Sequence, residues 1–263
     1  MCTHFSAVSQ DHLEAAIEAV RRVPGSGGCT ALARELGSIT TGSASMSSGT
    51  RHDPTGDKNA PAPHVLESQD DPTITDATSQ EVYPGMECAV ILVRDGRLAV
   101  GRMTFGYEAP WLDRSGRAGK LIANARLEDA LTRPESMWAD SLAHRRCVVP
   151  AWGFYEPHRS RTAKSPRTGR PIKQQVFFSL NEPETPDDDP GASLMPPAML
   201  FFAGIYENGR FTIMTCAPNG SVSPVHDRMP VVLRPEEVRI WLGPRYASLV
   251  DRTGVTLSSR DAL

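Results

Sequence analysis

The sequence predicts an α+β protein, mainly antiparallel, built on a twisted sheet or partly closed barrel with a few peripheral helices. Three observations predict it. Short apolar runs of strand length recur through the C-terminal two thirds of the 263-residue chain. The dipeptides Asp95-Gly96 and Asn208-Gly209 lie between neighbouring runs, where two-residue hairpin turns belong. The helical patterns are few, and they neither repeat nor alternate with the strands, which excludes a βαβ sheet.

The elements follow in chain order. SQDHLEAAIEAVRRV (9–23) reads as a helix with Ser9 or Asp11 as cap, since Leu13, Ala16, Ile17 and Val20 fall on one face. From 24 to 80 the chain turns to Gly, Ser, Thr, Pro and Asp with too little apolar material to pack, and reads as a mobile, low-complexity insertion. Order resumes at Val82. AVILVRDGRLAVGRM is a hairpin pattern, and 147–157, 174–180, 198–215 and 229–233 are further strand candidates. RPEEVRIWLG (234–243) opens as a helix, with Pro235 in the first turn beside Glu236 and Glu237. The segment 157–197 reads as an irregular charged loop, basic in PHRSRTAKSPRTGRPIK and acidic in NEPETPDDDPG; its basic half is either solvated surface or a phosphate contact.

Composition narrows the function classes. A net charge of −3 announces no polyanion partner for the chain as a whole, so any nucleic-acid face must come from local segregation of charge. No apolar run reaches the roughly 18 residues that cross a bilayer, and MCTHFSAVSQDH has neither basic leader nor long apolar stretch. The five cysteines, Cys2, Cys29, Cys88, Cys147 and Cys216, are scattered without a CxxC pair, which argues against a disulfide framework or a zinc site. A reducing, cytoplasmic setting with free thiols and no cofactor or metal is expected.

Four segments could carry chemistry. Cys2 follows the initiator methionine. Removal of Met1 would leave an amine and a thiol on adjacent carbons, a pair suited to closing a thiazolidine ring on an aldehyde; otherwise Cys2 is an incidental end residue. In LIANARLEDA, Asn124, Arg126 and Glu128 alternate as on one face of an extended segment; Arg126 would hold a phosphate or pair with Glu128. RRCVVPAWGFYEP delivers Glu156 at the end of an apolar strand, either as a partly desolvated proton-transfer group or as a surface carboxylate. PVHDRMPVVL places His226 in a loop before a strand, either as an acid–base group with Asp227 to orient it or as an incidental histidine with Asp227 a cap; Arg228 is a further contact or a structural ion-pair partner.

In this order, Cys at position two, Asn-Ala-Arg-x-Glu, Arg-Arg-Cys-x-x-Pro-Ala-x-Gly-Phe-Tyr-Glu and His-Asp-Arg-Met-Pro-Val resemble the SRAP family, the SOS response-associated peptidases or abasic-site processing proteins. EVYPGMECAVIL, FFAGIYE and FTIMTCAPN resemble its linking strands, so the likeness covers 2–23 and most of 81–245. The resemblance implies a single domain over 1–250 with a barrel-like β core, acting as a monomer on abasic sites in single-stranded DNA, nucleoid-associated when so engaged. It implies that Cys2 captures the aldehyde as a thiazolidine crosslink, with Asn124, Glu156 and His226 lining the pocket. Arg126, Arg228 and His4 would then meet DNA, and Trp111 would stack on a base or fill the core. The chain departs from the family's usual Met-Cys-Gly-Arg-Phe at Thr3 and His4, and has Pro157 where a tryptophan usually follows the glutamate. Two other classes remain open on sequence: a thiol hydrolase or peptidase using Cys2, His226 and Glu156, and a non-catalytic single-strand-binding module.

Overall fold

A computed structural model describes residues 4–9, 12–21, 79–109, 121–180 and 198–262. Cys2 and Trp111, and most of the 24–80 segment, lie outside the described residues. Strand β1 (His4–Val8) leads to helix α1 (Leu13–Arg21), then β2 (Ser79–Val82), β3 (Glu87–Arg94), β4 (Arg97–Phe105) and β5 (Asn124–Arg126). Helices α2 (Leu127–Thr132) and α3 (Ala139–His144) precede the long β6 (Arg146–Lys164), β7 (Pro171–Leu180), β8 (Leu200–Glu207) and β9 (Arg210–Cys216). The chain ends with β10 (Met229–Pro230), β11 (Val232–Leu233), a 3-10 turn (Pro235–Glu237), α4 (Val238–Leu242) and β12 (Leu257–Asp261).

The barrel-like expectation holds. β3 pairs with β4, β4 with β9, β9 with β8, β8 with β6, and β6 again with β3, a closed ring of hydrogen-bonded strands. Among the described pairings only β4–β9 and β5–β9 are parallel. Phenylalanines fill the ring: Phe5 sits edge-on to Phe105 and Phe202, each at 5.3 Å, and Phe154 stacks on Phe178 at 5.2 Å. All five are completely buried, so each contributes a large apolar area to one shared core. Phe5 thus nails the N-terminal strand to the core three residues after Cys2.

Both hairpin turns form as expected, with positive φ at Asp95 (51°) and Gly96 (73°), and at Asn208 (50°) and Gly209 (73°), the twist-compatible two-residue geometry. Helix α1 buries Leu13, Ala16, Ile17 and Val20. Ser9 closes its entrance, accepting the His12 N–H on its carbonyl at 3.2 Å.

Several expectations need correction. The segment 157–173 is not irregular: β6 continues to Lys164 and β7 begins at Pro171, ahead of the expected 174–180, forming a protruding hairpin in which Thr162, Ala163 and Lys164 oppose Lys173, Ile172 and Pro171. Largely exposed from Arg159 to Lys173, this stretch lacks the apolar alternation by which strands are recognised, and pairing between β6 and β7 sets its form. The acidic remainder lies outside the described residues. Order resumes at Ser79, since β2 pairs with β1 from Ser79 to Val82. The fold also runs past 250, because β12 pairs with β7 over Leu257–Asp261.

β6 is the strand on which the site depends. It pairs in turn with β8, β3, β1 and β7 along its length. Where it passes from β1 to β7 it carries Gly153. A Cβ there would collide with the Phe177 ring and the Phe178 carbonyl, so only glycine lets β7 come this close.

Candidate active site

Glu156 lies where β6 leaves the ring. It is two residues beyond Phe154, so it shares the inward face with Phe154 and pairs opposite the buried Val176. Its carboxyl is fully buried. Desolvation dominates its ionisation and pushes its pKa from the ordinary 4.5 up to about 7.

His226 comes to it from the loop before β10. Its Nε2 stands 3.9 Å from Glu156 Oε2, beyond a direct hydrogen bond but close enough for both groups to act on one small reacting centre. The other ring nitrogen is held by its own loop: the Arg228 N–H donates to Nδ1 at 3.1 Å. That bond suits an accepting Nδ1, while the acceptors beside the same nitrogen suit a donating one, so the loop accommodates either neutral tautomer and leaves Nε2 facing Glu156. When the ring is protonated, the Asp227 carboxylate at 3.1 Å and the Arg228 carbonyl at 3.2 Å receive an Nδ1 proton. Partial burial holds the imidazole pKa below its usual value, so the neutral form prevails at pH 7.

The loop is fixed in turn by Arg228. Its guanidinium grips Glu128 through two bonds, 3.0 Å to Oε1 and 2.8 Å to Oε2, and donates to the Thr215 carbonyl at 2.8 Å. Arg228 therefore occupies the structural ion-pair place weighed for it. The fork also corrects the reading of LIANARLEDA: the chain is extended only over Asn124–Arg126, and Glu128 sits in the first turn of α2. It leaves the strand face and turns to Arg228 instead of Arg126. Hydrogen-bonding to Arg228 draws the Glu128 carboxyl below its usual pKa, overcoming the desolvation that acts the other way.

Asn124, half-buried, and Arg126, exposed, sit on β5, which β9 holds in register at Ile213 and Thr215. The Asn-Ala-Arg-x-Glu and His-Asp-Arg segments, about 100 residues apart, are thus joined by one salt bridge. Arg159 N–H donates to the Val225 carbonyl at 2.9 Å, joining the end of the Gly-Phe-Tyr-Glu strand to the histidine loop.

His4 is placed differently from the other site candidates. It pairs with Tyr155, so its side chain lies on the sheet face opposite Glu156. Its ring is stacked between Tyr83 at 4.5 Å and Tyr155 at 3.9 Å, with Nε2 3.0 Å from Glu81 Oε2. Tyr155 Oη donates to the other Glu81 oxygen at 3.2 Å. His4 therefore clamps β1 to β2 and β6, and presents little of its ring to a phosphate.

The described internal cysteines are poor candidates for a nucleophile. Cys88, Cys147 and Cys216 are free and buried. Burial pushes the Cys88 and Cys216 thiols up to about 12 and raises Cys147 further, leaving no useful thiolate at neutral pH.

Sequence reasoning missed two site residues as individuals. Arg159 and Lys173 line, with His226 and Asp227, a pocket of about 290 Å³ beside the histidine. Their only signal was membership of the basic run 157–173. Among the described residues no helix is long and apolar enough to cross a membrane.

The chain is similar to several known proteins. The abasic site processing protein YoqW of Bacillus subtilis is 27% identical over 176 residues, 64% of this chain and 67% of that protein. The abasic site processing protein YedK of Escherichia coli is 28% identical over 161 residues, 61% of this chain and 63% of that protein. The solved structure of a phage-related protein from Bordetella bronchiseptica is 24% identical, with a TM-score of 0.49, covering 72% of this chain and 84% of that one. The family model for SOS response associated peptidase (SRAP) matches residues 55–259. Matched by that model over residues 55–259, the chain belongs to the SRAP family.

Proposed function

We propose that this chain processes abasic sites in single-stranded DNA, capturing the ring-opened aldehyde through Cys2 as a thiazolidine crosslink. What supports this most is Glu156, wholly buried with a pKa of about 7, set 3.9 Å from His226 Nε2. One residue, Thr3, separates Cys2 from His4, a reach of at most about 7 Å, and His4 is held opposite Tyr155, the neighbour of Glu156 in sequence.

The chemistry needs one base that is then an acid, and one donor. With Met1 removed, the α-ammonium of Cys2, ordinarily near pKa 7.7–8.0, is closely matched to the Glu156 carboxylate. Glu156 takes its proton. The amine adds to the aldehyde carbon, and the carbinolamine loses its hydroxyl as water with the proton that Glu156 returns, giving a protonated imine. The thiol sulfur then adds to the same carbon and its proton passes to the nitrogen, closing the ring with one water released overall. His226 Nε2–H donates to the sugar oxygen during ring opening. Asn124 orients the amine or the lesion oxygen. Arg126, exposed at the end of β5, meets a phosphate, and Trp111 stacks on a flanking base.

The test is direct. Purified protein mixed with a uracil-glycosylase-treated single-stranded oligonucleotide should give a band that survives denaturation, and Cys2→Ala should abolish it. Absence of that band from protein whose mass shows Met1 removed refutes the proposal.

A further inference from the structure

The hairpin of β6 and β7 projects from the mouth of the site and carries six cations, Arg159, Arg161, Lys164, Arg167, Arg170 and Lys173, with no carboxylate anywhere from 157 to 180. Its base is rigidly tied. Four residues, 158–161, bulge against Gln174 alone between the Pro157–Gln175 and Thr162–Lys173 pairs. His158 Nδ1 accepts the backbone N–H groups of Ser160 and Arg161 within that bulge. Arg161 forks onto Asp261 of β12 at 3.0 and 2.8 Å. The tip is a closed turn, with Ser165 N–H on the Arg170 carbonyl at 2.9 Å and Gly169 N–H on the Ser165 carbonyl at 2.8 Å.

Among the described residues, Arg161 is the only one of the six cations with an ion-pair partner. The other five are exposed. Two of them, Arg159 and Lys173, line the His226 pocket. Lys164, Arg167 and Arg170 continue outward, the tip lying about 10 Å beyond Lys173 at roughly 3.3 Å per residue. Cations starting at a catalytic pocket and running outward along a stiff arm match a linear polyanion whose reacting unit sits in the pocket. They match a compact anion poorly, since that would occupy the mouth alone.

We infer that the 157–173 hairpin is a phosphate-binding arm: Arg159 and Lys173 hold the phosphate beside the lesion, and Lys164, Arg167 and Arg170 hold the next phosphates of the same single strand. This rests on the proposed function for the identity of the strand, and it explains how a chain of net charge −3 grips DNA.

The experiment measures equilibrium binding of a fluorescein-labelled oligodeoxythymidylate, free of abasic sites, across a salt series. The wild type is compared with the triple variant Lys164→Gln, Arg167→Gln, Arg170→Gln. Each phosphate contact to a single strand contributes about 0.7 to the slope of log affinity against log salt, so losing three should flatten the slope by about 2. From 50 to 200 mM salt the wild type should then lose about 20-fold more affinity than the variant. The exchange variant Lys164→Arg, Arg167→Lys, Arg170→Lys, which keeps every charge, should retain the wild-type slope. A triple variant that melts like wild type and keeps its slope overturns the arm. Crosslinking to abasic DNA is scored separately: its absence from the wild type refutes the proposed chemistry, while the slope on lesion-free DNA still decides the arm.

Discussion

Replacing Glu156 by Gln should remove a pH-dependent stability loss that the wild type carries. The folded protein holds this carboxyl near pKa 7, against 4.5 in the ordinary case. Between those values the native state keeps a proton that the unfolded chain has released, so wild-type stability falls as pH rises. The stability is therefore full below pH 4.5 and lost by the time pH has passed through 7. Over about 2.5 pH units, at about 1.4 kcal/mol per unit, the loss reaches about 3 kcal/mol for this fully buried group. Glutamine is nearly isosteric and does not titrate. The measurement is urea unfolding of both proteins from pH 4 to 8.5. The wild-type minus variant difference should drop by about 3 kcal/mol between pH 4.5 and 7 and level off above 8. His226 titrates in both proteins, so its contribution largely cancels in that difference. Parallel curves would refute the reasoning, because they would mean that Glu156 ionises as a solvated carboxylate.

The same ionisation should govern the reaction rate. Single-turnover crosslinking should rise with pH through about 7 in the wild type, and this limb should vanish in Glu156→Gln. Glu128→Gln takes one charge from a fork that leaves Arg228 little exposed; it should cost about 2 kcal/mol in thermal unfolding. It should also shift the His226 imidazole nitrogen resonances, since Arg228's backbone holds that ring; unchanged resonances would show that the fork does not position the histidine. Gly153→Ala should destabilise by at least about 3 kcal/mol, because its methyl would meet the Phe177 ring and a backbone carbonyl, and neither can rotate away. A wild-type melting temperature for that variant would disprove the close approach of β6 and β7.

What could be read from the sequence is what short-range physics determines. Asp95-Gly96 and Asn208-Gly209 specify their turns because both positions need positive φ, and the face of α1 follows from helical spacing alone. Contacts between distant segments left weaker signals. Nothing local says that Glu128 faces Arg228, 100 positions away, and the alternation Asn124, Arg126, Glu128 points to a strand until α2 begins at Leu127. The basic hairpin was hidden for the opposite reason. Its residues are polar throughout, so only pairing with β7 and the Arg161–Asp261 fork give it a shape. Glu156 was legible as a strand-end carboxylate, yet its full burial depends on the inward face it shares with Phe154 and on the nearness of Val176.

The architecture assigns separate jobs to the two faces of β6. Inward, Phe154 and Glu156 continue one row, so the packing that builds the aromatic core also desolvates the carboxyl and sets its pKa. Outward, Tyr155 stacks on His4, and Glu81 receives both the histidine nitrogen and the tyrosine hydroxyl. That outer clamp and the buried Phe5 hold β1 from both sides. An arginine at position 4, as the family usually has, would offer a charge to DNA, whereas His4 spends its ring on the tyrosine stack. The charge lost there has a counterpart on the hairpin beyond Pro157, which begins one residue after Glu156 on the same strand. In the proposed function and the proposed phosphate arm, proton transfer, placement of the N-terminal strand and the grip on a phosphate backbone belong to consecutive stretches of one strand, so a shift in its register should disturb all three together.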